Sequence, residues 1–334
     1  MTKKKKFNFK FLIGLVFYLG FLYFFFTKLD IKSLDIILSS SIWPLVFVAV
    51  ACELFLIGTN AYLLKKIFKL YGISIAYRAA LDLWLLAVAS SAFTAGISGP
   101  VIIYLKAKQI SQDGIVALRA AASLFFVLLV PNILFIFISS ALFFQRSEYF
   151  DFASLLEYIL FAAILVIFIY LVFEIIRSLP VKKSIIHWLD RYQGLFESEN
   201  LKIIFSRQAI NVYIISLVRL LLNLLVFVLA IAGLGAYQNI PITVKNFAIN
   251  QAIAIFSPSN GGLGFVEVGL TASLAANGIG QAHAAITVLV YRIIDFWLPF
   301  ILGGAVFSLH YLKAIKNRHK DNKDKDPSKS GFLL

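Results

Sequence analysis

The 334-residue sequence holds one cysteine, Cys52, one methionine and four histidines. A single cysteine excludes a disulfide within the chain and a metal cluster built from thiolates. The histidines, His187, His283, His310 and His319, lack ligand spacing, so no metal is expected. Charge is scarce: Asp, Glu, Lys and Arg make up 14% of residues against 60% hydrophobic. So little polarity cannot cover a soluble chain of this length, and the mean hydropathy of +0.88 is that of a membrane protein. No P-loop lysine motif occurs, which excludes ATP hydrolysis by that route, and GISG at 96–99 lacks the spacing of a nucleophile elbow. No cofactor is expected.

Acid is scarcer than base, 17 residues against 31, for a net charge of +14. Such a balance suggests nucleic acid, but the basic residues sit at the ends of apolar runs, so no nucleic-acid partner is expected. After MTKKKKFNFK the chain continues apolar through Phe26 with no small-residue cleavage site, which reads as a first membrane helix. Runs long enough to span fall near 9–27, 42–64, 115–144, 155–176, 209–234 and 284–312. Two more apolar regions are broken: Ala79–Ile110 at TAGISGP (94–100), around Gly99 and Pro100, and Phe247–Asn277 at SPSNGGLG (257–264).

The positive charges choose the threading. If each broken region enters and leaves on one side, 25 of the 31 basic residues face the cytoplasm and four face outside. Arg219 and Arg292 stay in the membrane. Counting the broken regions as full spans would put the basic loop Arg177–Arg207 outside, against the positive-inside bias. The expected fold is therefore an all-α polytopic membrane protein, with six transmembrane helices plus two re-entrant broken-helix hairpins that face opposite compartments. Both termini are cytoplasmic, in the cytoplasmic (inner) membrane of a prokaryote. The hairpins make an inverted repeat, with repeat one over about 9–144 and repeat two over about 155–312 of a membrane domain spanning 1–312. Weak internal similarity agrees: SGPVIIYL (98–105) answers LGFVEVGL (263–270), QDGIVALRAAA (112–122) answers ANGIGQAHAAI (276–286), and Pro131 answers Pro299. Ser184–Phe205 reads as an interfacial segment, and 313–334 as a basic, disordered cytoplasmic tail.

The second break carries the chemistry. Pro258 lacks an amide hydrogen, while Gly261, Gly262 and Gly264 reach backbone angles closed to other residues. They should end one short helix near Phe256 and start another near Phe265, with Ser259 or Asn260 as the cap. The freed amides of that second half-helix would suit an anion such as a phosphate. Glu267 falls in its first turn, where the dipole favours a carboxylate; it is either a locally satisfied helix-start acid, a partner for a buried arginine, or a functional group. Arg292 and Asp295, three apart in AITVLVYRIIDFWLPFILGG (285–304), can pair with each other or contact substrate. Arg219 has no local acid, and Glu267 is its candidate partner. Glu53 lies deep in its span, whereas Asp82 is nearer the cytoplasmic face.

The ordered set Pro258, Gly261, Gly262, Gly264, Glu267, Gly278, Tyr291, Arg292, Trp297 and Pro299 resembles the lysylphosphatidylglycerol synthase transmembrane region, or flippase-like domain family. The resemblance covers about Phe9 to Leu312 and implies a domain that moves lipids, including aminoacylated phosphatidylglycerol, between leaflets. It also implies links to cationic peptide resistance and to lipid-linked sugars. Two departures stand out. Only about 20 residues follow the last apolar run, so transfer of an aminoacyl group by the family's soluble domain is not expected. In the first repeat Ile102 answers Glu267 and no arginine answers Arg292; its polar features are Tyr104, Lys106 and Arg119. The leading reading is a translocase for a phospholipid or lipid-linked headgroup. The amides with Ser259, Asn260, Gly261, Gly262 and Gly264 would hold its phosphate, Glu267 a cation or proton, and Tyr291, Arg292 and Arg219 further contacts. Alternatives are an embedded transferase or accessory subunit of aminoacyl-lipid or glycolipid synthesis, and a small-solute transporter. A separate transferase and a second copy of the chain are the protein partners compatible with these readings.

Overall fold

The computed structural model describes residues 39, 41–92, 98–144, 203, 206–257 and 262–324. The runs expected at 9–27 and 155–176, the segment 184–205 apart from Ile203, and residues 325–334 of the tail lie outside the described residues; the first part of the tail, expected to be disordered, instead continues the last helix through Asp324. What is described is helical, with no strand among the described residues. Helix α1 is Trp43–Leu70, α2 Tyr77–Ala92, α3 Ser98–Ser111 and α4 Gly114–Phe144. A short 3-10 turn at Arg207–Ala209 leads into α5, Ile210–Gly233. Then come α6, Ile240–Phe256, α7, Phe265–Ala276, and α8, Gln281–Arg292. A π turn over Ile293–Trp297 joins α8 to α9, Leu298–Asp324. Among the described residues, four helical stretches are long and apolar enough to cross a membrane: Trp43–Leu70, Gly114–Ser140, Arg207–Gly233 and Gln281–His310. These match four of the six expected runs. The chain is an integral membrane protein.

Local chemistry sets the helix ends. Pro44 opens α1, where a missing amide hydrogen costs nothing, and Gly72 in the left-handed region follows its end. Asp113 caps α4 by accepting from the Ile115 amide at 2.7 Å, and Asn239 caps α6 by accepting from Ile242 at 2.8 Å. Pro131 inside α4 cannot donate to the Val127 carbonyl four residues back. Ser216 of α5, fully buried, donates its hydroxyl there at 2.7 Å instead.

Packing pairs the two halves crosswise. Helix α1 lies along α5. The first arm of the first hairpin, α2, packs on α9, while the first arm of the second, α6, packs on α4. Close approach of α2 and α9 needs Gly303, since a Cβ there would collide with the Leu85 carbonyl. Gly99 serves likewise where α3 meets α2, against Ser91 and the Ala87 carbonyl, and Pro100 follows it, exposed in the first turn of α3. One apolar cluster, around Leu63, Ile67, Leu83, Ile103 and Leu124, binds α1–α4. The other, around Leu220, Phe227, Phe247, Leu270 and Tyr291, surrounds the second break. Its rings meet edge-on or tilted, with Phe227 5.1 Å from Tyr291 and Phe135 5.3 Å from Phe247.

Candidate functional site

The second break falls where the glycines require it. Helix α6 ends at Phe256 and α7 starts at Phe265, while Gly262 and Gly264 take φ of +72° and +83°. A side chain at Gly262 would also strike Val266. Pro258, Ser259, Asn260 and Gly261 lie outside the described residues. The cap differs from expectation: Gly264 occupies the cap position, and Glu267 rather than Ser259 or Asn260 accepts its amide, Oε2 to nitrogen 2.7 Å. A glycine has no side chain to cap with, so the carboxylate three residues on closes the turn alone.

The other oxygen of Glu267, Oε1, accepts from Arg292 Nε at 2.8 Å. Both residues are buried, at 7% and 2% exposure. Arg292 Nη1 reaches Asp295 Oδ2 at 3.3 Å, and its guanidinium carbon stands 4.8 Å from the centre of the Phe296 ring. Thus the arginine has both partners that the sequence left open. Tyr291, next in line, is buried; its hydroxyl accepts from Asn250 of α6 at 3.1 Å and lies within hydrogen-bonding reach of Asp295.

The π turn holding Asp295 was not foreseen. Its cause is legible: Pro299, buried, cannot bond the carbonyl of Asp295 four residues earlier, so the helix widens just before it. The widened turn places Tyr291, Arg292 and Asp295 around one point.

Two helices that cross beside a glycine-rich break, with a buried Arg–Glu pair at the crossing, are the arrangement to compare with known proteins. Residues 11–303 match the family model for the lysylphosphatidylglycerol synthase TM region. The chain belongs to this family. Sequence comparison with curated proteins yields no match. Membership makes this a membrane protein of a family involved in lipid modification or flipping.

In this family member the intramembrane cluster is wider than the break. Arg219 of α5 does not take Glu267 as partner, contrary to expectation, because Arg292 and Gly264 already hold both its oxygens. Arg219 Nε donates instead to Asn60 Oδ1 of α1 at 2.7 Å, and the guanidinium lies within Coulomb range of Asp295 and Glu53. Helix α1 runs along α5, so its polar residues are the ones within reach. Asn60 and Asn250 are site residues that sequence reasoning missed, and Glu53, noted as an acid deep in its span, was not assigned to the site. A signal was there: Glu53 and Asn60 are seven apart, hence on one helical face, and Asn246 and Asn250 are four apart in apolar α6. Asn246 joins a second polar group, accepting from Ser273 at 2.6 Å and Asn277 at 3.3 Å across the α6–α7 hairpin.

The first hairpin has no counterpart of this cluster among the described residues. Ile102 packs in the apolar cluster, and Lys106 is exposed, donating to Gln109 at 3.0 Å. Arg119 lies within Coulomb range of Tyr71, at the far end of α1 from Glu53. Asp82 of α2 meets His310 at 3.8 Å, away from the break.

Proposed function

We propose that the chain moves a phospholipid or lipid-linked headgroup between leaflets by alternating access, with the α6–α7 break as the headgroup site. One observation carries the reading: Glu267 already binds the Gly264 amide and Arg292, the donors a phosphate would use. The carboxylate stands in for the anion. An arriving headgroup phosphate exchanges with Glu267 at Arg292 and the α7 amides, and the displaced carboxylate then faces the headgroup's cationic part. Gly262 and Gly264 form the backbone side of this site among the described residues, and Tyr291 and Arg219 its far wall. When the lipid leaves, Glu267 returns, so no charge is left bare in the membrane at either stage. Movement is downhill or coupled to an ion.

The membrane layout proposed with it has six spans and two re-entrant hairpins in an inverted repeat, with both termini in the cytoplasm of a prokaryotic inner membrane. The crosswise packing of α2 on α9 and α6 on α4 supports this, as does the basic-residue bias. The lipid's origin is the work of a separate transferase, and dimerisation with a second copy is compatible with the layout.

Purified protein in liposomes tests the function. Labelled phospholipid or a lipid-linked glycan should cross faster than in empty vesicles, and faster than with E267A. If neither lipid class crosses faster than in empty vesicles, the reading is wrong. The layout has its own test. Single cysteines at Lys106 and Asn239, in a Cys52-free background, should react with impermeant thiol reagents from opposite compartments; modification from the same side defeats it.

A further inference from the structure

The cluster at the break brings together three acids, Glu53, Glu267 and Asp295, and two arginines, Arg219 and Arg292. Arginine stays charged, so with all acids ionised the group would hold one negative charge too many in the membrane. The hydrogen bonds show which acid is surplus. Glu267 uses both oxygens, on Gly264 and Arg292. Asp295 has Arg292 and Tyr291 in reach. Glu53 is 3% exposed, and its Oε2 is buried with no hydrogen-bond partner among the described residues. The cation within Coulomb range of it, Arg219, spends its Nε–H on neutral Asn60 rather than on Glu53. An ionised carboxylate so placed would be an uncompensated buried charge; a carboxylic acid would not.

We infer that Glu53 is the proton-binding residue of this cluster, neutral in the arrangement described and ionised when the site opens to water. The step is a simple one: the carboxylic O–H bond breaks, the proton passes to water, and the carboxylate gains Arg219 as its counter-ion. A proton rather than a metal cation fits, since the three acids are not close enough to one another to hold a metal ion, and no other such group is found among the described residues. The groups facing Glu53 are Arg219 from α5 and Asp295 from the π turn, with Tyr291 of α8 also in Coulomb range. Other titratable groups on helices packed against α1 act elsewhere: Tyr213 of α5 lies within Coulomb range of Tyr71. Asp82 of α2 meets His310, and Tyr77 of α2 donates to the Gly58 carbonyl at 3.2 Å. Arg119 of α4 acts on Tyr71, which lies about 27 Å along α1 from Glu53 at 1.5 Å per residue. Coupling of lipid movement to this proton rests on the translocase reading; the proton site does not.

Infrared difference spectra of the purified full chain in lipid nanodiscs, titrated with pH, test the site directly. The wild type should show one buried carboxylic acid carbonyl band that disappears as pH rises. E53Q should lose the band and E267Q should keep it. If E53Q does not fold, E53D decides: the band must persist with a changed frequency and titration midpoint. A band unaltered in E53D or retained in E53Q, or no such band in the wild type, overturns the assignment. Liposomes under a pH gradient separate the two claims. Wild-type lipid movement should change several-fold with the gradient, and movement by E53Q should not. A wild type indifferent to the gradient removes the coupling, whereas a wild type that moves no lipid defeats the function and leaves the infrared result standing.

Discussion

Replacing Glu267 by alanine does two things at once. It takes from buried Arg292 a partner at 2.8 Å, and from the Gly264 amide its acceptor at 2.7 Å. Breaking a buried pair from one side costs about 3–5 kcal/mol in water-soluble proteins. Two features reduce that here. Asp295, 3.3 Å from Nη1, and the Phe296 ring still face the guanidinium. In a bilayer the unfolded reference also finds partners, so interhelical hydrogen bonds average only about 0.6 kcal/mol. Losing the cap bond adds about 0.5–2 kcal/mol. E267A should therefore cost about 3 kcal/mol, and R292M, which keeps the cap, about 2 kcal/mol. If the two side chains act on each other, the double variant should cost about 3 kcal/mol rather than 5, a coupling of about 2 kcal/mol. The exchange E267R/R292E separates the roles: it restores opposite charges but leaves Gly264 without its acceptor, so it should stay about 1 kcal/mol below wild type. Steric trapping in bilayers, or reversible unfolding in mixed detergent, measures all four. A coupling below about 0.5 kcal/mol would show that the pair is a neighbourly contact and not a bond.

Other substitutions probe the local arguments. G264A forces a side chain onto φ of +83° and should cost about 1–2 kcal/mol by the same unfolding assay, while Gly304, with open space around it and ordinary φ, should accept alanine at no cost. S216A leaves the Val127 carbonyl without its hydroxyl donor at a cost of about 1–3 kcal/mol; in a P131A background, where the backbone regains an N–H for that carbonyl, the penalty should shrink. G303A should loosen α2 from α9, and a thermal midpoint equal to wild type would refute the close approach described for that pair.

Much of this fold was legible because its rules are local. Proline and three glycines in eight residues fix where α6 must stop and α7 begin, and the expected ends at Phe256 and Phe265 are those observed. Apolar run length found the four described spans for the same reason: each residue contributes to hydropathy wherever it packs. The cap was misread from local reasoning of the same kind. Ser259 and Asn260 are favoured cap residues, but the chain enters α7 through Gly264, so the spacing that mattered was Gly264 to Glu267.

The ion pairs were less legible, and the reason is geometric. A buried arginine must find an acid, but which one depends on how helices far apart in sequence are rotated and staggered. Arg292 lies three residues from Asp295, so that contact follows from helical spacing, whereas its pairing with Glu267 requires α7 to cross α8 at one height. Once that crossing is made, Glu267 is spent, and Arg219 must look to whichever helix lies beside α5. That helix is α1, with Asn60 and Glu53 on one face. A sequence can therefore announce that buried charges will be matched in sum, yet leave open who matches whom. The sum itself is the more useful quantity here. Among the described residues, three acids against two arginines, with one acid oxygen left bare, means the cluster is neutral only with a proton or a cationic headgroup present. An anionic headgroup brings one more negative charge, so its arrival and the protonation state of the cluster are bound to influence each other, whichever leaflet the lipid comes from.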